Sequence, residues 1–90
     1  GEILMTSNKE TVTVRVRIAG EEHPIKGQAS KEYIEKLARI VDNQIKLVQK
    51  KNPNLTRHRM AILAAINLAD ELERLRAEYN ELLEIVEDAN

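Results

Sequence analysis

Residues 52–72 read NPNLTRHRMAILAAINLADEL, and the fold turns on how this stretch is read. Asn52, Pro53 and Asn54 block the continuation of a preceding helix and favour a turn, while Thr56 offers a hydroxyl to cap a new one. From Thr56 to about Ala89 there is no Gly or Pro. At about 1.5 Å per residue that is a rod of roughly 50 Å, longer than a head built from the rest of the chain could cover. Its first turn carries Arg57, His58 and Arg59, where the positive end of the helix dipole favours Asp or Glu. Three basic groups at that place call for a reason.

Along this helix the apolar pattern changes. Met60, Ile62, Leu63, Ile66, Leu68 and Ala69 spread around much of the circumference, which implies burial on more than one side. Further on they narrow to a seam of Leu68, Leu72, Leu75, Tyr79, Leu82 and Val86, the alternating four-three spacing of a coiled coil. With Leu72 at position a, Glu71 falls at g and Arg76 at e, a spacing suited to an ion pair between parallel chains. Leu83 and Ile85 then occupy e and g, so more than two helices are expected to meet at that end.

Upstream, Ser30 caps a first helix whose apolar positions Ile34, Leu37, Ala38, Val41, Ile45 and Val48 follow helical spacing. A second stripe, Tyr33, Ile40 and Leu47, recurs every seven residues beside the first. One stripe can cover a sheet; the other needs a helix or another subunit. Before this helix, TVTVRVRI (11–18) alternates strictly, with Val12, Val14, Val16 and Ile18 on one face and Thr11, Thr13, Arg15 and Arg17 on the other. A Gly-containing turn follows, and HPIKG (23–27) returns as a short strand in which Pro24 marks an edge or a strand end. The opening GEILMTSNKE has no periodicity, and Gly at position 1 with Met at position 5 suggests residues added by cloning before the natural start. The expected organisation is residues 1–10 as a disordered or cloning-derived segment, 11–67 as a dimeric α/β head, and 68–90 as a coiled-coil tail. The fold class is α+β: a small β-hairpin and helix, then a long C-terminal helix forming a coiled coil, to which the family resemblance given below adds assembly as a dimer of dimers.

Composition narrows the function. Ninety residues have too little interior for a large core, so a partner is expected. There are two Tyr and no Phe, Trp or Cys, which removes thiolate and disulfide chemistry and points to a reducing cytoplasm. The longest apolar run is about half the ~20 residues needed to cross a bilayer, so a soluble protein is expected, with no membrane insertion. Residues 9–59 hold twelve Lys and Arg against six Asp and Glu, whereas residues 60–90 hold two against eight. That split speaks against a general nucleic-acid binder and leaves room for a local basic patch facing an acidic partner.

Three blocks carry a family resemblance: VRVRIAGEEHPIKG (14–27), EYIEKLARIVDNQI (32–45) and RMAILAAINLADEL (59–72). The last, with Ala64, Ala65, Asn67 and the ADEL ending at Leu72, is the most specific. From Val12 to about Leu83 the chain resembles ZapA, the small bacterial division protein that associates with the tubulin-like FtsZ. The resemblance implies a dimeric head, a coiled coil joining two dimers into an antiparallel tetramer, and cross-linking of FtsZ filaments into bundles at the mid-cell division ring. It implies a scaffold and no enzyme, and no cofactor is expected.

Candidate partner-binding residues are Lys46, Lys50 and Lys51, which end the first helix, and Arg57, His58 and Arg59 one short loop away. Two readings stand. The lysines favour their own helix dipole and the arginines are solvated or pair with a nearby Glu; or the turn presents a basic surface to an acidic face of the filament. Arg15 and Arg17 form a secondary candidate. The oligomerisation residues are Tyr33, Ile40 and Leu47 on the first helix and Ile62, Ile66, Leu68, Leu72, Leu75, Tyr79, Leu82, Leu83 and Val86 on the second. Asn67 is expected as a buried amide satisfied by backbone or across the subunit boundary, setting register. Glu78, Glu81, Glu84 and Glu87 are a solvated face, or face Arg74 and Arg76 of an opposing dimer. His23 and His58 stand without Cys or a HExxH pattern, so no metal site is expected. Ser30 and Thr56 read as caps and not as nucleophiles. Two alternatives to filament binding are a coiled-coil adaptor for another cytoplasmic partner and a nucleic-acid module using the basic turn, against which the acidic tail and the shortage of stacking aromatics both count.

Overall fold

Strict alternation in residues 12–18 becomes strand β2 (Val12–Ile18), which turns back through Ala19 and Gly20 into β3 (Glu21–Gly27) in the computed structural model, whose described residues are 3–4 and 11–89. Both turn residues have positive φ, 55° at Ala19 and 76° at Gly20, the backbone sense that matches the twist of a two-residue hairpin. The pairing runs from Ile18↔Glu21 at the turn to Val12↔Gly27 at the open end. Strand β1 (Ile3–Leu4) adds to the far side of β3 in parallel, Ile3 opposite Ile25 and Leu4 opposite Lys26. Two residues of the opening stretch that sequence alone sets outside the fold therefore belong to the sheet. The rest of that stretch lies outside the described residues.

The second strand is longer than HPIKG. It runs through Pro24, which lies opposite Arg15, so this proline does not end the strand. The two residues of β1 pair only with Ile25 and Lys26, leaving Pro24 just before that pairing begins, a position that tolerates a missing N–H.

Helix α1 (Lys31–Lys51) starts at Ser30, whose Oγ accepts the Tyr33 N–H at 3.2 Å, and ends as the Asn52 N–H reaches the Val48 carbonyl at 2.8 Å. Helix α2 (Arg57–Asp88) is capped by Thr56, whose Oγ1 accepts the Arg59 N–H at 3.2 Å. Both caps occupy the positions expected from sequence.

Two small cores result. Val14, Val16 and Ile25 meet Ile34 and Ala38 of α1 under the sheet. Ile45 and Val48 meet Met60 and Ala64 between the helices. Ile18 touches both, so the hairpin end ties the helix pair to the sheet. Val12, the outermost of the alternating valines, stays 41% exposed. Past Leu68, which is half-buried, α2 leaves the head and every described residue to its end is exposed. The radius of gyration of 16.7 Å reflects this projection, against about 12 Å for a compact chain of this length.

Candidate functional site

The start of α2 is where sequence posed its question. No acidic residue occupies the first turn. Arg57 instead sends its guanidinium across to the carboxylate of Glu21, the first residue after the hairpin turn, so one of the three basic groups is neutralised by a strand 36 residues earlier. The other oxygen of Glu21 stands 4.0 Å from His23 Nε2.

Lys46 is also engaged. Its ammonium lies 2.9 Å from Asp42 one helical turn away, while the other Asp42 oxygen accepts the Ala19 N–H at 2.9 Å. The lysine hydrogen bond first, and then the backbone N–H, hold the Asp42 carboxyl below its ordinary range. An acid on α1 thus grips the hairpin turn by its backbone.

Between the turn, the second half of α1 and the start of α2 lies a groove of about 610 Å³. Lys46, Arg57 and His58 line it together with Glu21 and His23, over an apolar floor of Ile18, Val41, Ile45 and Met60. Arg59 sits at a separate shallow depression with Leu55, Ile62 and Ile66, and His58 borders both. Lys51 lines a third, beside Leu47 and Asn67, and Lys50 is exposed near the end of α1. The fold therefore gathers Lys46, Arg57 and His58 and separates them from Lys51. On the strand face Arg15 is paired with Glu22 at 3.3 Å, and Arg17 is exposed.

Tyr33, Ile40 and Leu47 are about half exposed on α1, as are Ile62 and Ile66 on α2. In the single chain Asn67 is exposed, and its side-chain N–H donates to Gln44 Oε1 at 3.2 Å. It lies one helical turn from the buried Ala64, on the side of α2 that faces α1. On the projecting helix, Leu72, Leu75, Tyr79, Leu82, Leu83 and Val86 are all exposed. Arg74 pairs with Asp70 at 3.2 Å and Arg76 with Glu73 at 3.7 Å, both along the helix. No described helix is long and apolar enough to cross a membrane, and the described residues contain no group of three His, Cys, Asp or Glu able to hold a metal ion.

Glu21, His23 and Asp42 are the residues that sequence reading missed. Asp42 and Lys46 could have been paired by their spacing of four, but nothing local links Glu21 to Arg57.

Comparison with known proteins places this arrangement. A ZapA mutant dimer from Geobacillus stearothermophilus superposes with a TM-score of 0.68 at 30% identity, covering 92% of this chain and 96% of that one. A cell division protein ZapA from Geobacillus kaustophilus is 39% identical over 80 residues, 89% of this chain and 87% of the relative. Another, from Geobacillus sp. (strain WCH70), is 33% identical over 78 residues, 87% of this chain and 90% of the relative. Residues 14–90, from the buried core of β2 through α2, match the family described as Cell division protein ZapA, and the chain belongs to that family.

Proposed function

We propose that this chain is a non-enzymatic scaffold of cell division that binds FtsZ filaments through its head and cross-links them through its tail. The observation that carries the reading is the seam on α2. Leu72, Leu75, Tyr79, Leu82 and Val86 are between 48% and 63% exposed in the single chain and fall on one coiled-coil spacing. Large apolar side chains in such a row mark a surface that another chain covers.

Tyr33, Ile40 and Leu47, with Ile62 and Ile66, supply a second apolar surface for pairing heads into a dimer. The charges of α2 favour an antiparallel meeting of two dimers. Its last turn has no basic residue and ends in Glu84, Glu87 and Asp88, opposing the negative end of the dipole, just as its first turn opposes the positive end. An antiparallel neighbour brings that acidic end toward Arg74 and Arg76 of the opposing tail. Two head pairs at opposite ends then bridge two filaments, and effective concentration multiplies weak contacts. The site of action is the bacterial cytoplasm at the division ring.

The basic start of α2 is the proposed filament contact, with Lys46, Lys50 and Lys51 contributing to its field. The test is co-pelleting and light scattering with polymerised FtsZ, comparing wild type with Arg57, His58 and Arg59 changed to Ala. Loss of both signals in a variant of unchanged oligomeric state supports the contact. Equal bundling moves it elsewhere on the head, and failure of wild type to bind turns the reading to another cytoplasmic partner.

A further inference from the structure

Among the described strands β2 is paired on one side only, since the order in the sheet is β1-β3-β2. The far side of β3 carries β1 and the proline at 24, whereas the far side of β2 is open over seven residues without Pro, Gly or a break in register. A long open edge of that kind is a template for another strand. We propose that two heads join through it, β2 against β2 of a second copy, antiparallel and centred on Val14, so that one sheet runs through both. The inference rests on the reading that heads pair into a dimer, and supplies the way their sheets meet.

The hairpin decides which groups face the edge. Ile18↔Glu21 closes a two-residue turn and is a hydrogen-bonded pair, so Ile18, Val16, Val14 and Val12 direct their N–H and C=O groups to β3. Thr13, Arg15 and Arg17 direct theirs to the open side. Pro24 agrees with this phase: it stands opposite Arg15, at a pair that needs no N–H from β3. Side chains then choose the register. Centring the pair on Arg15 sets that residue against itself, and centring it on Val16 sets Arg15 against Arg17; like charges directly opposite are destabilising. Centring it on Thr13 engages only Val12, Thr13 and Val14 of β2. Centring it on Val14 sets Arg15 opposite Thr13 and Arg17 opposite Thr11 of the second copy, with backbone hydrogen bonds exchanged at both pairs and no Arg facing Arg. On the other face Val14 meets its own copy and Val12 meets Val16, β-branched pairs of the kind that stabilise sheets. Val12 shares the face of the buried Val14 and Val16 yet is 41% exposed in the single chain, and this register covers it.

The chain has no Cys, so introduced ones report the register directly. Thr13→Cys and Arg15→Cys, both at exposed positions, are refolded together from urea under reducing conditions and then oxidised with glutathione. The opposed Cα atoms lie about 5.5 Å apart in such a pair, within disulfide reach. Each residue stands roughly 8 Å from its own copy, beyond that reach. The mixture should therefore give a covalent dimer at least tenfold faster than either variant alone. Faster linking of Thr13→Cys alone, or of Arg15→Cys alone, overturns the register, and equal linking by a mixture of Glu22→Cys and Lys26→Cys on β3 overturns the edge. A second measurement isolates the heads by placing Leu75→Glu in the tail and following the dimer by sedimentation equilibrium. Arg15→Pro removes an outward N–H without touching the ladder to β3, and should raise the dimer dissociation constant at least tenfold. Thr13→Glu, which sets a carboxylate opposite Arg15 of the second copy, should lower it about two- to fivefold, the scale of an exposed ion pair, and keeps the test decisive should the proline variant fold poorly by circular dichroism. A constant that neither folded variant moves overturns the proposal. The two levels separate cleanly: heads that stay monomeric in the Leu75→Glu chain refute head pairing itself, whereas a stable dimer without the mixed link refutes only its route through β2.

Discussion

Asp42 accepts the backbone N–H of Ala19 at 2.9 Å, joining the middle of α1 to the hairpin turn 23 residues earlier. The link closes one wall of the groove and fixes the turn that carries Glu21 toward Arg57. Its loss should be felt in stability and in geometry together.

Asp42→Ala leaves the part-buried Ala19 N–H without its charged acceptor, and is expected to destabilise the chain by about 1–3 kcal/mol. Folding lowers the Asp42 pKa, so the unfolded chain holds that proton more tightly. The contribution is therefore complete above the ordinary value of 3.8 and drains away as pH falls through the lower folded value. Thermal melts of wild type and variant should differ most near neutral pH and draw together as pH falls below 3.8. A gap that stays constant as pH falls below 3.8 would show that the carboxylate does not hold the turn.

Ala19 adopts φ 55°, where its Cβ crowds the backbone. Ala19→Gly removes that strain, although Gly also raises the entropy of the unfolded chain. The balance favours stabilisation by about 0.5–1 kcal/mol, readable as a higher urea midpoint at unchanged slope. Gly20→Ala should move the midpoint the other way: at φ 76° the added Cβ meets no neighbouring atom, so the cost is backbone strain alone.

Arg59 stands in the first turn of α2, apart from the Glu21 pair. Arg59→Glu reverses an unfavourable dipole interaction and should raise stability by about 0.3–1 kcal/mol. The same change should weaken filament co-pelleting, because the basic field loses two units of charge. A variant that is both more stable and fully able to bind would mean that the basic turn has no part in recognition.

What was legible in the sequence was local. Ser30 and Thr56 could be named as caps because a hydroxyl followed by helical spacing is self-contained within four residues. The alternation of Val14 and Val16 with Arg15 and Arg17 fixed the strand's faces for the same reason. Ile3 and Leu4 escaped notice because two residues carry no period, and their place depends on a parallel partner at Ile25 and Lys26. Pro24 reads as an edge or a strand end, and choosing between the two depends on knowing both neighbouring strands: β1 starts pairing only at Ile25, so the proline sits on an open edge inside the strand. The Glu21–Arg57 pair and the Asn67–Gln44 hydrogen bond span 36 and 23 residues, so they exist only once the hairpin and helices are packed. The groove is a product of the same three-way meeting. Asn67 reads as buried because its neighbours are apolar, and in the single chain much of that apolar surface, Ile62 and Ile66 included, stays exposed.

Cross-linking of filaments has the apolar seam on α2 as its physical basis. The most direct test measures light scattering and co-pelleting with polymerised FtsZ for wild type and for Leu75→Glu and Leu82→Glu, with sedimentation giving the assembly of each. Charge placed in the seam should leave a dimer that still pellets with filaments but raises little scattering, while wild type bundles them strongly. A confirmed dimer that bundles filaments as well as wild type would rule out bridging through the tail.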